Sequence, residues 1–139
     1  MGTVKKFKNN AYIFTPNTYM NKSGDALSNI LHFFNISLEN ILIVHDDLDL
    51  KIGQLKFKYS IGSSGHNGLR SIIISLRKFF SHVDLKSLFF HRICIGIGRP
   101  NSRKNVSSFV LTCPSKYEKE ILSTSIQQAM KFIDTFIQQ

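Results

Sequence analysis

The sequence predicts a single α/β domain in which a mixed, mostly parallel sheet is flanked by helices. Segments with a strand pattern alternate with segments of helical periodicity along the chain. Residues 41–44 are continuously apolar, which is typical of a strand buried on both faces of a sheet. No linker, internal repeat or low-complexity block divides the 139 residues, a length that can bury its own core. We therefore expect one domain over residues 1–139.

The first half of the chain predicts three strands and one helix. Residues 11–15 form a short strand that Pro16 ends, and residues 41–44 form the buried strand. Ser23 is the predicted N-cap of a helix whose apolar residues recur at helical spacing: Leu27, Ile30, Leu31 and Phe34. Residues 54–59 alternate, which predicts a half-exposed strand with Leu55, Phe57 and Tyr59 on one face and Gln54, Lys56 and Lys58 on the other.

The second half predicts two helices around one strand. A Gly/Ser loop over residues 60–68 leads into a helix with Leu69, Ile72, Ile73, Leu76 and Phe80 on one face. Residues 92–98 alternate, so we expect a strand that Pro100 closes, with Ile93, Ile95 and Ile97 facing inward. A last helix from about Lys116 carries Leu122, Ile126, Ala129, Met130, Ile133 and Ile137 in register.

The composition favours a polyanionic partner but leaves an alternative open. The formal net charge of +9 is the kind of excess that RNA- or DNA-binding proteins carry. However, the chain is rich in Lys, Asn, Ile, Phe and Ser and has only three alanines, at positions 11, 26 and 129. A nucleotide-biased genome would raise the lysine content in the same way, without any selection for binding.

Membrane, secretory and cofactor classes receive no support from the sequence. No apolar run approaches the roughly 20 residues that span a bilayer, and the N-terminus lacks the apolar stretch of a secretory signal. We expect a cytoplasmic protein. Cys94 and Cys113 are expected to be reduced thiols, because they form neither a disulfide framework nor a Cys-x-x-Cys pair. We expect no metal and no organic cofactor.

The first candidate site is His45-Asp46-Asp47, directly after the buried strand. Open α/β sheets bind their ligands at the carboxyl ends of strands. A carboxylate there can orient a histidine that acts as a general base. A metal site, completed by His66 or another ligand, is an alternative that no spacing motif supports. A turn cap is the structural alternative.

Two polar loops are the other candidates. Residues 62–70 (GSSGHNGLR) link a strand to a helix and present His66 and Asn67 at the helix start. The segment has neither a Walker loop nor a dinucleotide fingerprint, and a plain capping turn explains it equally well. Residues 18–24 (TYMNKSG) offer Tyr19 as a stacking surface for a base and Asn21 as a donor and acceptor.

Together these segments resemble the bacterial-type peptidyl-tRNA hydrolase family. The matching motifs occur in order along essentially the whole chain: PNTYMNKSG at 16–24, IVHDDLDL at 43–50, GQLKFK at 53–58, GHNGL at 65–69, RICIGIGRP at 92–100 and FVL at 109–111. The resemblance implies an enzyme with an α/β fold that acts in translation and cuts the ester bond between a peptide and tRNA. It also implies tRNA as the partner, and a monomer.

The resemblance assigns roles to individual residues. Asp46 matches the aspartate that orients the general-base histidine. Asn21 and Asn67 match asparagines that hold the substrate and the attacking water. Tyr19, Met20 and His66 match positions that line the tRNA-binding cleft. Lys56 and Lys58 fall where the family presents basic residues to tRNA phosphates, and their alternation places both on the face predicted to be exposed.

The sequence departs from the family pattern in three places. Nothing matches the family's first segment, which carries the general-base histidine, so we expect an N-terminally truncated member. The stretch between Arg70 and Arg92 is longer than usual. Cys94 stands where the family commonly has a phosphate-gripping arginine, a role that Arg92, on the same strand face, is expected to fill in part.

Three functional hypotheses follow. The chain is a peptidyl-tRNA hydrolase whose sequence starts late, a tRNA-binding remnant with impaired catalysis, or an enzyme in which His66 or His45 replaces the missing base.

Overall fold

The structure is a computed structural model that describes residues 1–8, 10–100 and 106–139. In chain order, the elements are β1 (Gly2–Lys6), β2 (Tyr12–Pro16), α1 (Ser23–Phe34), β3 (Leu42–Asp47), β4 (Leu55–Ser60), α2 (Asn67–Phe79), β5 (Phe90–Gly96), α3 (Val106–Leu111) and α4 (Lys116–Ile137). Short 3-10 turns occupy Met20–Lys22, Leu38–Asn40 and Leu85–Ser87. None of the described helices is long and apolar enough to cross a membrane.

Two compact units make up the chain. The first contains Met1–Leu42 and Tyr59–His91, and the second contains Ile43–Lys58 and Arg92–Gln139. The expected elements therefore form in an α/β arrangement, with helices and strands in both units.

An antiparallel hairpin opens the first unit. β1 pairs with β2 so that Gly2 lies opposite Pro16 and Lys6 opposite Tyr12. The predicted strand over residues 11–15 is confirmed within one residue. β1 was not predicted, because its sequence GTVKK has no apolar alternation and all five residues are exposed. The hairpin rests on α1 through Tyr12, whose ring centroid is 4.5 Å from that of Phe34.

The two helices of the first unit approach each other closely at Gly24. Its N–H donates to Ser71 Oγ at 2.9 Å, and a Cβ at this position would collide with the backbone carbonyl of Ser71. The helices bury an apolar core against each other and the segment that follows: Ala26, Leu31, Leu69, Ile73, Leu76, Phe80 and Leu88. Both predicted helices form, and their predicted apolar faces are buried in part, because Leu27, Ile30, Phe34 and Ile72 are only half-buried.

The predicted N-cap of α1 was wrong by one residue. Lys22 occupies the cap position and makes no side-chain capping hydrogen bond. Ser23 is the first helical residue and is buried. Its Oγ donates to the Met20 carbonyl at 2.8 Å, so the hydroxyl closes the preceding turn instead of capping the helix.

The buried strand of the three-stranded sheet is β5, not the apolar run at 41–44. The strand order is β3-β5-β4, so β3 lies at an edge and Val44 is 46% exposed. β5 is central and buries residues of both faces, among them Ile93, Cys94 and Arg92. For this reason the predicted inward set was wrong in part: Ile95 and Ile97 are only half-buried.

The second unit joins β4 to the long helix α4. Phe57 stacks on Phe132 with a centroid distance of 3.4 Å. Lys56 is exposed as expected, whereas Lys58 is half-buried and Phe57 is 39% exposed. The simple division of β4 into a buried apolar face and an exposed basic face was therefore wrong.

α4 begins at Lys116 as predicted. Ser115 and Glu118 form a reciprocal capping box that satisfies its first N–H groups. Its buried residues are Ser125 and Ala129. Of the predicted apolar face, Ile126 and Met130 remain about half-exposed. α3 was not predicted.

Candidate functional site

In the first unit, the turn before α1 meets the start of α2. A Cβ at Gly68 would lie 2.5 Å from Met20 Sδ and 3.0 Å from His66 Cε1, so the Met20 side chain packs directly on the start of α2 and would have to shift for a larger residue. The contact brings two of the sequence motifs together. Asn21 and Asn67, the chain neighbours of Met20 and His66, are both exposed.

His66 is the N-cap of α2. Its Nδ1 accepts a hydrogen bond from the Leu69 N–H at 3.2 Å, which confirms the capping geometry considered from the sequence. An accepting Nδ1 carries no proton, so the neutral ring has its proton on Nε2. His66 therefore presents a donor, not a general base, at Nε2.

Both helices begin beside Met20. α1 starts at Ser23 and α2 at Asn67, and the first N–H groups of a helix lack intrahelical partners. The positive ends of two helix dipoles therefore lie near Met20. Such an arrangement favours a carboxylate, a phosphate or a carbonyl oxygen that develops negative charge. Tyr19, immediately before this turn, is 83% exposed, as a base-stacking side chain must be.

Asp46 lies in the second unit, near the carboxyl end of β3, and is half-buried. The neighbouring His45 has its Nδ1 2.8 Å from the Asp46 carbonyl oxygen. A carbonyl can only accept, so Nδ1 carries the proton of the neutral ring and Nε2 is an acceptor.

Cys94 supplies the partner of that acceptor. Its Sγ lies 3.4 Å from His45 Nε2. Burial raises the pKa of the Cys94 thiol above its ordinary value of 9.0, although Lys58 and Arg92 act in the opposite direction. The thiol is therefore protonated at neutral pH and donates to Nε2. With these two contacts, His45 has the geometry of a structural histidine.

The segment after β3 is fixed by β5 and α4. The Ile97 N–H donates to the Asp47 carbonyl at 3.0 Å, and the Gly53 N–H donates to the Gly96 carbonyl at 3.0 Å. Ser125 Oγ from α4 donates to the Gly53 carbonyl at 2.6 Å. This segment is therefore held by both the central strand and the long helix.

Basic residues share one face of the sheet with Cys94. Alternation places Arg92 and Cys94 on the same face of β5, and the charges of Lys56, Lys58 and Arg92 all act on the Cys94 thiol. Lys56 is exposed, but Arg92 is only 5% exposed. We call Lys56, Lys58 and Arg92 the basic set.

The expected site residues thus fall into two groups. The first unit brings together Met20 and His66 and carries Tyr19, Asn21 and Asn67 at the same two helix starts. The second unit carries Asp46 with the basic set. Among the described residues, no three His, Cys, Asp or Glu side chains are placed to hold a metal ion. Sequence reasoning missed the His45–Cys94 pair, because nothing local indicates that β3 and β5 are neighbours.

A family model described as "Peptidyl-tRNA hydrolase" matches residues 1–139. A peptidyl-tRNA hydrolase of Buchnera aphidicola subsp. Acyrthosiphon pisum (strain 5A) is 44% identical over 119 residues, which cover 86% of this chain and 63% of that protein. One from Clostridium botulinum (strain Alaska E43) is 38% identical over 131 residues, covering 94% of this chain and 63% of that protein.

A solved structure agrees with this fold. The crystal structure of peptidyl-tRNA hydrolase from Acinetobacter baumannii matches with a TM-score of 0.81 and 32% identity, over 99% of this chain and 65% of that chain. The predicted α/β fold class is thereby confirmed. The chain spans slightly less than two thirds of the length of these relatives.

Proposed function

Since the chain belongs to the peptidyl-tRNA hydrolase family, we propose that it hydrolyses the ester bond between a peptide and the 3′ ribose of tRNA. This reaction recycles peptidyl-tRNAs that stalled or abortive translation releases. The observation that carries the proposal is the contact of Met20 with the start of α2, because it joins two family motifs where two helices begin. We further propose that residues 1–139 act as one domain, as a cytoplasmic monomer without metal or cofactor.

The polar residues of the first unit are suited to stabilise the negative charge that develops on the ester carbonyl oxygen during hydrolysis. When water attacks the ester carbonyl, its oxygen becomes negative, and preorganised donors stabilise that charge. The amide groups of Asn21 and Asn67 and the Nε2–H of His66 are donors at the two helix starts. Tyr19 offers an exposed ring for stacking on a base at the tRNA 3′ end.

The second-unit residues are proposed to orient the base and to bind tRNA. Asp46 is the carboxylate that would hold the imidazole of a general-base histidine in its productive tautomer. The contacts of His45 and His66 do not suit either of them to be that base, so none is assigned within the described part of the chain. Lys56 and Lys58 would bind phosphates, and the buried Arg92 would add to their positive field.

Release of labelled peptide from N-acetyl-aminoacyl-tRNA tests the proposal. We expect hydrolysis above the buffer rate, and a loss of about 100-fold in Asn67→Ala, the scale for removing one preorganised donor. Asn40→Ala, an exposed asparagine outside the site, is the matched control and should retain the full rate. Failure to exceed the buffer rate would refute hydrolysis by this chain. tRNA binding without hydrolysis would instead identify a binding protein with impaired catalysis.

A salt series separates the tRNA-binding role of the lysines from catalysis. Removing two phosphate contacts with Lys56→Ala/Lys58→Ala should reduce the magnitude of the slope of log K against log salt by roughly 1.4 to 1.8. An unchanged slope would remove the two lysines from the tRNA-binding surface, whatever the hydrolysis rate.

A further inference from the structure

The ring of His45 connects Asp46 to the central strand of the sheet. Its Nδ1 lies 2.8 Å from the Asp46 carbonyl oxygen, and its Nε2 lies 3.4 Å from Cys94 Sγ in β5. The carbonyl can only accept, so the neutral ring donates from Nδ1 and accepts at Nε2. Burial raises the pKa of the Cys94 thiol, which therefore keeps its proton at neutral pH and donates to Nε2. The two contacts hold the imidazole in one tautomer.

The contact between His45 and Asp46 acts on the backbone. The Asp46 carbonyl accepts from His45 Nδ1, and the next carbonyl, that of Asp47, accepts from the Ile97 N–H at 3.0 Å. Because the carbonyls of two successive peptides are held, the backbone is fixed at this point, including the ψ angle of Asp46. The rotamers open to a side chain depend on the φ and ψ angles of its own residue. The direction of the Asp46 carboxylate is therefore coupled to the hydrogen bonds of His45.

We propose that His45, held in one tautomer by Cys94, is a positioning residue for Asp46, an inference that rests on the proposed function. His45 acts through the backbone of Asp46, and Asp46 in turn orients the general base. A carboxylate orients an imidazole only when its oxygens are aimed at the ring, and a misplacement of about 1 Å can cost about 100-fold in rate. The tautomer matters because a neutral ring with its proton on Nε2 has no donor for the Asp46 carbonyl.

NMR spectroscopy of the full chain at pH 7 tests the proposal without any need for activity. Long-range proton–nitrogen correlation spectra should show the His45 proton on Nδ1, and side-chain couplings should show a single χ1 rotamer for Asp46. His45→Asn keeps an amide donor near the Nδ1 position and should keep the single rotamer. His45→Gln places its amide near the Nε2 position, so the Asp46 couplings should become rotamer averages. His32→Gln, an exposed histidine of α1, is the control and should leave Asp46 unchanged.

The Cys94 variants test the other end of the ring, and they do so even if a His45 variant fails to fold. Cys94→Ser keeps a donor to Nε2 and should keep the proton of His45 on Nδ1. Cys94→Ala removes that donor and should give a mixture of tautomers, because the hydrogen bond at one ring nitrogen sets the protonation of the other.

Hydrolysis of N-acetyl-aminoacyl-tRNA separates positioning from substrate binding. His45→Gln should lower kcat by about 10- to 100-fold, the scale for a misplaced group in catalysis. KM should stay within about twofold, because the lost interaction acts on the transition state and not on binding. His45→Asn should recover most of the lost kcat, since it keeps the donor to the Asp46 carbonyl.

Three results would overturn the inference. The first is a wild-type His45 ring with its proton on Nε2. The second is an Asp46 side chain with the same couplings in His45→Gln and His45→Asn, and the third is an equal kcat in these two variants. A wild-type chain that does not hydrolyse the substrate would refute the proposed function alone, because the tautomer and the Asp46 couplings are measured without substrate.

Discussion

Replacing Cys94 by Ala and by Ser tests the hydrogen bond between the buried thiol and His45. Cys94 is fully buried in the central strand, so truncation to Ala removes the sulfur's apolar burial, about 1 kcal/mol. It also removes one hydrogen bond to Nε2 of the half-buried His45, and a net hydrogen bond contributes about 0.5 to 1.5 kcal/mol. The expected loss for Cys94→Ala is therefore about 1.5 to 2.5 kcal/mol of unfolding free energy.

Cys94→Ser should cost less than Cys94→Ala, because the hydroxyl is still a donor to Nε2. We expect about 1 kcal/mol, the order of one net hydrogen-bond difference. If the sulfur contributed only by apolar burial, the order would reverse, since burying a hydroxyl without a partner is unfavourable. Equilibrium urea unfolding at pH 7 measures both values. Cys113→Ser, an exposed cysteine, is the control and should lie within about 0.5 kcal/mol of the wild type.

The same variants should differ in alkaline solution. Burial raises the pKa of the Cys94 thiol above 9.0 in the folded chain, so the unfolded chain loses this proton first as pH rises. The stabilisation is fully present below pH 9 and is lost above it, with a limiting slope of about 1.4 kcal/mol per pH unit. The advantage of the wild type over Cys94→Ser should therefore shrink above pH 9. An advantage that stays constant to pH 10.5, or a Ser variant less stable than the Ala variant, would refute the reasoning.

Three further substitutions test other contacts by the same unfolding measurement. Ser125→Ala should lower the unfolding free energy by about 1 to 2 kcal/mol, because it removes the donor to the Gly53 carbonyl in the segment after β3. Ser123→Ala, on the exposed side of α4, should be nearly neutral. Equal losses in the two variants would contradict the contact between Ser125 and Gly53. Gly24→Ala should lower the unfolding free energy by more than about 3 kcal/mol, because the added Cβ would collide with the backbone of Ser71. A loss below about 1 kcal/mol would show that α1 and α2 are less closely packed at this point. His66→Ala should lower the unfolding free energy by about 1 kcal/mol, because it removes the N-cap of α2. His66→Asn should cost much less, because asparagine is also a good N-cap residue. A His66→Asn variant as unstable as His66→Ala would exclude the capping role.

Local patterns predicted the helices well because each helix buries one face against a neighbour. The 3.6-residue spacing located α1 and α2, and Ser115 followed by Glu118 accounts for the start of α4. The hairpin strand β1 was missed because an exposed strand needs no apolar alternation. Its partner β2 defines it through backbone hydrogen bonds, which the side-chain pattern does not encode.

Sheet order could not be derived from the same patterns. A continuous apolar run is compatible with a central strand, yet residues 41–44 lead into the edge strand β3. The central strand β5 instead contains Arg92 and Cys94, which look like surface residues in an alternating pattern. Their burial depends on neighbours that are distant in sequence, and so does the His45–Cys94 pair.

The candidate site was predictable where it coincides with helix starts. Polar residues before a helical pattern indicated the turn at Asn21 and the cap at His66, and the structure joins them through Met20 and Gly68. The tautomer of His66 was not predictable, because it follows from one hydrogen bond to Leu69. That single contact makes the neutral ring a donor at Nε2, which counts against the hypothesis that His66 replaces the missing base.

The exposed hairpin has a consequence for self-association. β1 and β2 pair only with each other among the described strands, so each leaves one row of backbone N–H and C=O groups that another chain could extend. Val4 and Ile13 add apolar surface to these strands. Lys5 and Lys6 lie on β1 itself, and repulsion between such charges would oppose pairing of two copies. Lys5 and Lys6 therefore oppose self-association through this edge, and their effect weakens as the salt concentration rises and screens their charges.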